Sequence, residues 1–212
     1  MGTIKNGILG GFSGTVGPVV GSSWKDISVI RSRPPGKRRK STVNQLSQME
    51  RMKLVSQFLA PVTSLLNQTY NSVTVRMSCF NKALSYNIRN AVEGDYPAFR
   101  INYARVILGN GDLLNPELLH AHSDSTGQLT LSWKDNSNEG SARASDLTFA
   151  AVYSFLTDRW MTGFAEAKRN AGSYTLDIAA FSGKAVHAYI GFLSADGRFV
   201  SNSLYAGLVN IL

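Results

Sequence analysis

The chain has 212 residues, of which 43% are hydrophobic and 17% are charged, and its formal net charge is +8. Apolar residues are abundant and Cys79 is the only cysteine, which excludes a disordered chain, a collagen-like repeat and a disulfide-stapled scaffold. Residues 1–53 contain ten Lys or Arg and two acids, whereas residues 54–212 contain twelve of each, so the excess positive charge belongs to the first quarter of the chain.

An uncharged, glycine-rich segment lies near the start of the chain. Residues 7–24 contain six glycines and Pro18. They lack the run of about 20 apolar residues that a membrane-spanning helix needs and the unbroken apolar stretch of a signal peptide. We therefore expect an extended or irregular segment that packs on its own domain or on a neighbouring subunit, with membrane insertion as a third alternative. The side chains expected at a subunit contact are Ile8, Phe12, Val16, Val19, Val20 and Trp24.

A cluster of cations follows this segment. Residues 31–40 read RSRPPGKRRK, and the Pro-Pro-Gly at their centre predicts a projecting, polyproline-like arm. The cations precede the positive end of a predicted helix, where their charge is unfavourable, so folding does not require them. We expect them either to keep a linker soluble or to contact nucleic acid phosphates without reading the base sequence. These cations are Arg31, Arg33, Lys37, Arg38, Arg39 and Lys40.

Two amphipathic helices are predicted next. Apolar residues recur at helical spacing from Val43 to Ala60, and Pro61 ends or kinks that helix. A second helix is predicted over residues 77–92, with Gly94 at the position that commonly terminates a helix. The two helices need a partner for their apolar faces.

From Phe99 onwards, apolar residues alternate with polar ones, which predicts β-strands. Seven strands in about 110 residues, with no helix between them, predict an antiparallel β-sandwich of the immunoglobulin or fibronectin III kind. After Phe99 the strands are predicted at 128–134, 147–155, 159–168, 173–181, 185–194 and 198–209. The expected fold class is α+β, with an N-terminal arm (1–40), a helical unit (41–95) and a β-sandwich domain (96–212).

Motifs for catalysis and cofactor binding are missing from the sequence. The glycines match neither the Walker nor the dinucleotide-binding pattern. His120 and His122 are spaced to lie on one side of an extended segment, but a third metal ligand at suitable spacing is lacking, so we expect loop residues without a metal. Cys79 has no neighbour that would lower its pKa and is expected to be a small buried hydrophobe. We therefore expect no enzyme activity, no metal and no cofactor.

Several segments resemble an uncharacterised protein family common in Bacteroidota. The resemblance lies in GGFSG (10–14), GPVVG (17–21), Trp24-Lys25, IRSRP (30–34), Tyr96-Pro97 with the strand after it, and SADG (194–197) followed by VSNS (200–203) and Tyr205. It implies no settled activity and assigns no catalytic residue. The helix entry at Thr42 and Gln45, after a basic stretch, is also similar to segments of phage-related proteins.

These features predict a non-enzymatic structural protein that self-assembles in the manner of a coat or virion protein. Its N-terminal arm would contact neighbouring subunits and nucleic acid phosphates, and the protein would be a homo-oligomer without a transmembrane span. A cytoplasmic or virion-associated location is favoured over secretion. The alternative is a fibronectin III-like binding module of a bacterial cell-surface or exported protein, whose strand-connecting loops hold a ligand or glycan.

Overall fold

A computed structural model describes residues 2–4, 10–24, 27–34, 40–70 and 77–212. The predicted contact residues Ile8, Lys37, Arg38 and Arg39 lie outside the described residues. The chain divides into two compact units, Met1–Val43 and Asn44–Leu212. The further division into a helical domain and a sandwich domain at residue 95 stays a prediction.

The N-terminal unit is a four-stranded antiparallel sheet. Its strands, in spatial order, are β1 (Gly2–Ile4), β2 (Phe12–Val16), β3 (Val19–Trp24) and β4 (Ile27–Ser32). The segment is extended, as predicted, but its backbone is paired. Arg31 lies in β4 opposite Val20, and the Arg33 N–H donates to the Pro18 carbonyl at 2.6 Å. The first residues of the predicted basic arm are thus tied to this sheet.

Helices open the second unit. α1 (Val43–Leu59) is followed by a 3-10 turn (Ala60–Val62), α2 (Thr63–Thr69) and α3 (Cys79–Asn90). Pro61 interrupts the first helix near the predicted place, because proline cannot continue the helical hydrogen-bond ladder. The Ser78 hydroxyl caps α3 by accepting the Asn81 N–H at 3.2 Å. Cys79 is half-buried, not fully buried as predicted, and its Sγ lies 3.5 Å from the Tyr70 carbonyl oxygen.

The remainder of the second unit is a β-sandwich, so the predicted fold class is confirmed. The short strands β5 (Val92–Glu93) and β6 (Arg100–Ile101) pair with each other. One sheet has the order β11-β8-β7 and the other the order β10-β9-β12-β13, the three-on-four antiparallel arrangement of fibronectin III domains. The strands are β7 (Glu117–His122), β8 (Gln128–Lys134), β9 (Leu147–Ser154), β10 (Arg159–Lys168), β11 (Ser173–Asp177), β12 (Ala185–Leu193) and β13 (Leu204–Asn210).

Several strand predictions differ from the structure. The strand predicted at 173–181 ends at Asp177, because a 3-10 turn follows at Ala179–Phe181. The strand predicted at 198–209 begins only at Leu204, because the turn after β12 extends past Phe199.

The alternation after Phe99 gives only the two-residue strand β6, which a 3-10 turn at Tyr103–Arg105 ends. β7 was not predicted as a strand. It carries a bulge between Glu117 and His120, and Leu118 has a positive φ of 46°. The bulge interrupts the alternation of apolar and polar residues that predicts a strand.

The four-stranded sheet of the sandwich is covered on both faces. Its inner face, which includes Val152 and Ile190, packs on the three-stranded sheet, and its outer face, which includes Tyr153 and Tyr189, packs on the helices. The Trp160 indole N–H donates to the Phe58 carbonyl at 2.9 Å and ties β10 to α1. Burial on both faces explains why β9 and β12 are mostly apolar, with few polar residues and no alternation. In the described part of the chain, none of the helices is long and apolar enough to span a bilayer.

Candidate ligand-binding cleft at the loop end

Three segments meet at one end of the sandwich and enclose a cleft of about 500 Å³, called here the loop-end cleft. They are the chain before β7, the β8–β9 loop and the β12–β13 turn. The side chains that line the cleft include Asp112, Ser141, Arg143, Asp196 and Phe199. In immunoglobulin-like sandwiches the loops at one end of the sheets form recognition surfaces, and the volume is within the range of small-molecule sites.

The β12–β13 turn holds its part of the cleft in a fixed shape. The Ser194 hydroxyl donates to Asp196 Oδ1 at 2.6 Å and accepts the Phe199 N–H at 2.9 Å. Gly197 occupies the left-handed region at φ 71°, which side chains rarely adopt. The Ser194 hydroxyl first, and then the Arg198 N–H, hold the pKa of the Asp196 carboxyl below its ordinary value. Asp196 is therefore an oriented carboxylate at neutral pH.

Phe199, in the same cleft as this carboxylate, projects an aromatic ring into solvent. Its side chain is 60% exposed, whereas the next residue, Val200, is buried against the helices. A large apolar ring gains nothing for folding at such exposure. Its position in a cleft with polar side chains is typical of a contact for a ligand that has both apolar and polar faces.

A buried arginine, Arg169, holds Asp146, which lines the loop-end cleft, in place. Arg169 has no solvent exposure, and its guanidinium lies 3.8 Å above the centre of the Phe192 ring. Its Nε donates to Asp146 Oδ2 at 3.0 Å, its Nη1 to Asn136 Oδ1 at 2.7 Å, and its Nη2 to the Leu114 carbonyl at 2.8 Å. One side chain therefore connects the β8–β9 loop, the chain before β7 and the β10–β11 turn.

The charge of Arg169 is balanced inside the protein. Burial lowers the pKa of Arg169, and the Asp146 carboxylate counteracts that effect by charge and by hydrogen bonding. Asp146 also accepts the Arg143 backbone N–H at 2.9 Å, so it orders the loop that carries Arg143 into the cleft. No sequence pattern indicates this role, because nothing distinguishes Arg169 from the other basic residues of the chain.

The structure brings only some of the predicted subunit-contact residues together. Strand register places Phe12, Val16 and Val19 on one face of the N-terminal sheet, where with Ile4 and Ile30 they surround an apolar hollow of about 420 Å³. Val20 and Trp24 lie on the opposite face, as does Arg31. Arg33 and Lys40 are exposed. Their roles in subunit or nucleic acid contact stay predictions.

His120 and His122 lie on the same side of β7, as their spacing predicts, opposite Ser132 and Thr130 of β8. His122 Nε2 is 3.3 Å from Asp124 Oδ2. Across the described ranges, no three His, Cys, Asp or Glu side chains are grouped so that they could hold a metal ion.

The strand order and the helical layer define a fibronectin III-like β-sandwich with helices packed on one sheet, and a cleft of about 500 Å³ lies at its loop end. The chain belongs to the family of unknown function DUF6266, whose sequence profile matches residues 11–207, and the predicted resemblance to an uncharacterised family is thereby confirmed. No curated protein matches the sequence.

Solved structures similar to this chain include fibronectin III domains. The fn3 domain of the human collagen alpha-1(XX) chain is 14% identical with a TM-score of 0.36, and the match covers 49% of this chain and 91% of that chain. The FN1-FN3 domains of chicken CNTN1 are also 14% identical with a TM-score of 0.39, over 49% of this chain and 35% of that chain.

Proposed function

We propose that this chain is a non-enzymatic binding module that holds a carbohydrate in the loop-end cleft. The observation that carries the proposal is the exposed Phe199 ring in one cleft with an oriented Asp196 carboxylate, where the buried Arg169 holds the lining residue Asp146 in place. A pyranose ring presents C–H groups on its faces and hydroxyls at its edge, so it can contact an aromatic ring and polar side chains at once.

The polar groups of the cleft match hydroxyls better than other ligand chemistries. Asp112 and Asp196 accept hydrogen bonds and Arg143 donates them. The Ser141 hydroxyl is held in place by the Leu114 N–H at 3.1 Å and the Asp112 carbonyl at 3.4 Å. Sugar hydroxyls are both donors and acceptors and can pair with the carboxylates and the guanidinium.

Three carboxylates line the cleft, and Asp146 is paired with Arg169. An anion would be repelled by the other two, Asp112 and Asp196, and a wholly apolar ligand would bury them without partners.

Titration calorimetry with defined hexasaccharides tests this proposal. Maltohexaose, cellohexaose, xylohexaose and chitohexaose are the probes, and at least one is expected to bind. Phe199→Ala should weaken that binding about tenfold or more, as loss of a central aromatic contact does. Leu156→Ala is the matched control, because Leu156 is 63% exposed in the β9–β10 turn at the other end of the sandwich. Absence of binding by all four probes, or equal weakening by both variants, would contradict the proposal.

A second proposed function is self-assembly through the N-terminal sheet, with a second copy of the chain as the partner. The observation that favours it is the uncharged apolar face around the hollow, where Ile4 and Val16 are each 55% exposed and Ile30 is 66% exposed. A small sheet needs a covered hydrophobic face to be stable in water. A cytoplasmic or virion-associated location would suit this function, and an exported or cell-surface location would suit the first.

Mass measurement by light scattering tests self-assembly. Ile30→Asp should shift the full chain from oligomer to monomer, because it places a charge in the proposed contact. Val29→Asp is the matched control, since Val29 is 44% exposed and the strand alternation puts it on the opposite face. A monomeric parent protein would refute this function, and so would equal effects of the two variants.

Nucleic acid contact by the basic segment is a further part of the proposed self-assembly function. If Arg31, Arg33 and residues 37–40 bind phosphates, nucleic acid should co-purify at low salt and be released at high salt. The ultraviolet spectrum of the purified protein at both salt concentrations provides the measurement. A spectrum free of nucleic acid at low salt would remove this part of the proposal.

A further inference from the structure

A second cleft, called here the arginine cleft, lies in the Asn44–Leu212 unit and shares no lining residue with the loop-end cleft. Its volume is about 490 Å³. The end of α3 forms one wall, residues 104–107 form another, and the start of β13 forms the third. Arg89 contributes from α3 and Arg105 from the second wall, and none of the described residues that line the cleft is an acid. We infer that the arginine cleft binds an oxyanion group, such as a phosphate, sulfate or carboxylate, of an organic ligand.

The two walls that carry the arginines are locked to each other. Asn87 is 1% exposed, and its side-chain amide donates to the Ile107 carbonyl at 2.9 Å while its Oδ1 accepts the Ile107 N–H at 3.0 Å. Arg89 follows Asn87 by two residues, and Arg105 precedes Ile107 by two. The reciprocal pair therefore fixes both backbone positions from which the arginines extend.

The third wall is tied to the second in a similar way. The Leu108 N–H donates to the Ser203 hydroxyl at 2.7 Å, and the Ser203 N–H donates to the Gly109 carbonyl at 3.1 Å. The 3-10 turn that ends at Arg105 is capped by Asn102, whose Oδ1 accepts the Ala104 N–H at 3.1 Å. A site whose walls are fixed before binding loses less conformational entropy when the ligand enters.

The charges at this cleft favour an anion. Arg105 lies 3.7 Å from Glu93, in a pair where Arg105 is 65% exposed and which solvent screens. Within the described part of the chain, Arg89 forms no ion pair. A guanidinium offers planar, paired donors that match an oxyanion.

The remaining lining indicates a ligand larger than a free ion. Tyr86 and Tyr205 line the cleft with the arginines, and a volume of about 490 Å³ is in the range of small-molecule sites. The aromatic rings can contact the body of the ligand while the arginines hold its acidic group. Sulfated, phosphorylated and uronic saccharides share this chemistry.

Residue-resolved NMR of the full chain tests the arginine cleft. The cations of residues 1–43 also attract anions, so total binding is not informative. The probes are glucose 6-phosphate, glucose 6-sulfate and glucuronate, with glucose as the uncharged control. We expect saturable shifts of the Asn90, Ile107 and Ser203 amide signals with at least one acidic probe and none with glucose. The probe that acts identifies the acidic group, whereas silence at these signals with all three, or equal shifts with glucose, would overturn the inference.

Paired variants assign the effect to the two arginines. Arg89→Gln with Arg105→Gln should weaken probe binding about tenfold or more, the loss expected for two charge-assisted hydrogen bonds. Arg100→Gln with Arg159→Gln removes the same charge from exposed positions outside the cleft and should leave the affinity within about twofold. Equal weakening by both pairs would show attraction by net charge alone and would refute the site. Unchanged amide signals far from the cleft report that each variant is folded.

Discussion

Arg169 is a charged residue with no solvent exposure, and it holds three segments at the loop end. Arg169→Met should lower the free energy of unfolding by about 3–5 kcal/mol, because Asp146 would remain buried without its partner. Urea unfolding measures this loss. Arg143→Met is the control, because Arg143 is an exposed arginine of the neighbouring β8–β9 loop and its replacement should change stability by about 0.5 kcal/mol or less. Equal losses would contradict the assigned role.

His187 makes stability depend on pH. It stacks on Tyr103 with ring centres 4.1 Å apart, its Nδ1 lies 2.8 Å from the Tyr205 hydroxyl, and burial lowers its pKa below 6.5. Between the folded pKa and about 6.5 the unfolded chain binds the proton more readily, so this contribution to stability is lost as pH falls through that window. The slope is at most about 1.4 kcal/mol per pH unit.

The variant His187→Gln isolates that contribution. Carboxyl groups that titrate at lower pH act equally in both proteins, so the difference in urea unfolding between parent and variant should shrink as pH falls below about 6.5. A difference that is constant from about pH 7.5 to about pH 5.5 would show that the folded protein accepts the proton on His187 as easily as the unfolded chain does.

At the scale of elements, the helices are part of the sandwich core. Leu59 of α1 is fully buried in the cluster that covers the four-stranded sheet, whereas Leu46 of the same helix is 38% exposed. Leu59→Ala should cost about 2–5 kcal/mol, and Leu46→Ala should cost far less because most of its surface is already in water. Unfolding in urea should remain a single transition in both variants. Two transitions would instead support separate helical and sandwich domains.

The sequence predicted individual helices and strands better than it predicted which of them pack or pair with each other. β8 and β10 have the predicted bounds, because turn residues flank clear apolar patterns. The apolar spacing of α1 predicts one buried face, but only the C-terminal part of that face is buried: Phe58 and Leu59 are in the core, whereas Met49 is 62% exposed. The spacing also cannot show that a sheet covers the buried part.

The sheet in residues 1–43 was not predicted, because its glycines weaken the strand signal. Close packing explains the glycine at position 21, where a Cβ would lie 2.6 Å from Cδ2 of Phe12.

The loop-end cleft was beyond sequence reasoning for a different reason. Asp112, Arg143 and Asp196 come together only because the sandwich brings distant loops to one end. The sequence supported the general expectation that strand-connecting loops hold a ligand. The positions of the side chains that line the cleft depend on Arg169, which is buried. The spacing of basic residues in the sequence does not show that Arg169 is buried.

In the whole molecule, the two units differ in both charge and burial. Residues 1–43 contain eight Lys or Arg and one acid, and residues 44–212 contain fourteen and thirteen. Among the described residues of the first unit, Gly21 is the only buried one, whereas the second unit contains both hydrophobic clusters. Hydrophobic burial is the main source of folding free energy, so the stability of the chain resides in the second unit.

Removal of residues 1–43 should therefore leave the urea unfolding of the remaining chain unchanged within about 0.5 kcal/mol, because no buried apolar side chain is lost. The same truncation should lower retention on a cation-exchange column, since it removes most of the net positive charge. Full-length protein unfolded in parallel is the reference. A clear loss of stability would show that the N-terminal sheet contributes to the core, and unchanged retention would show that its cations do not face solvent.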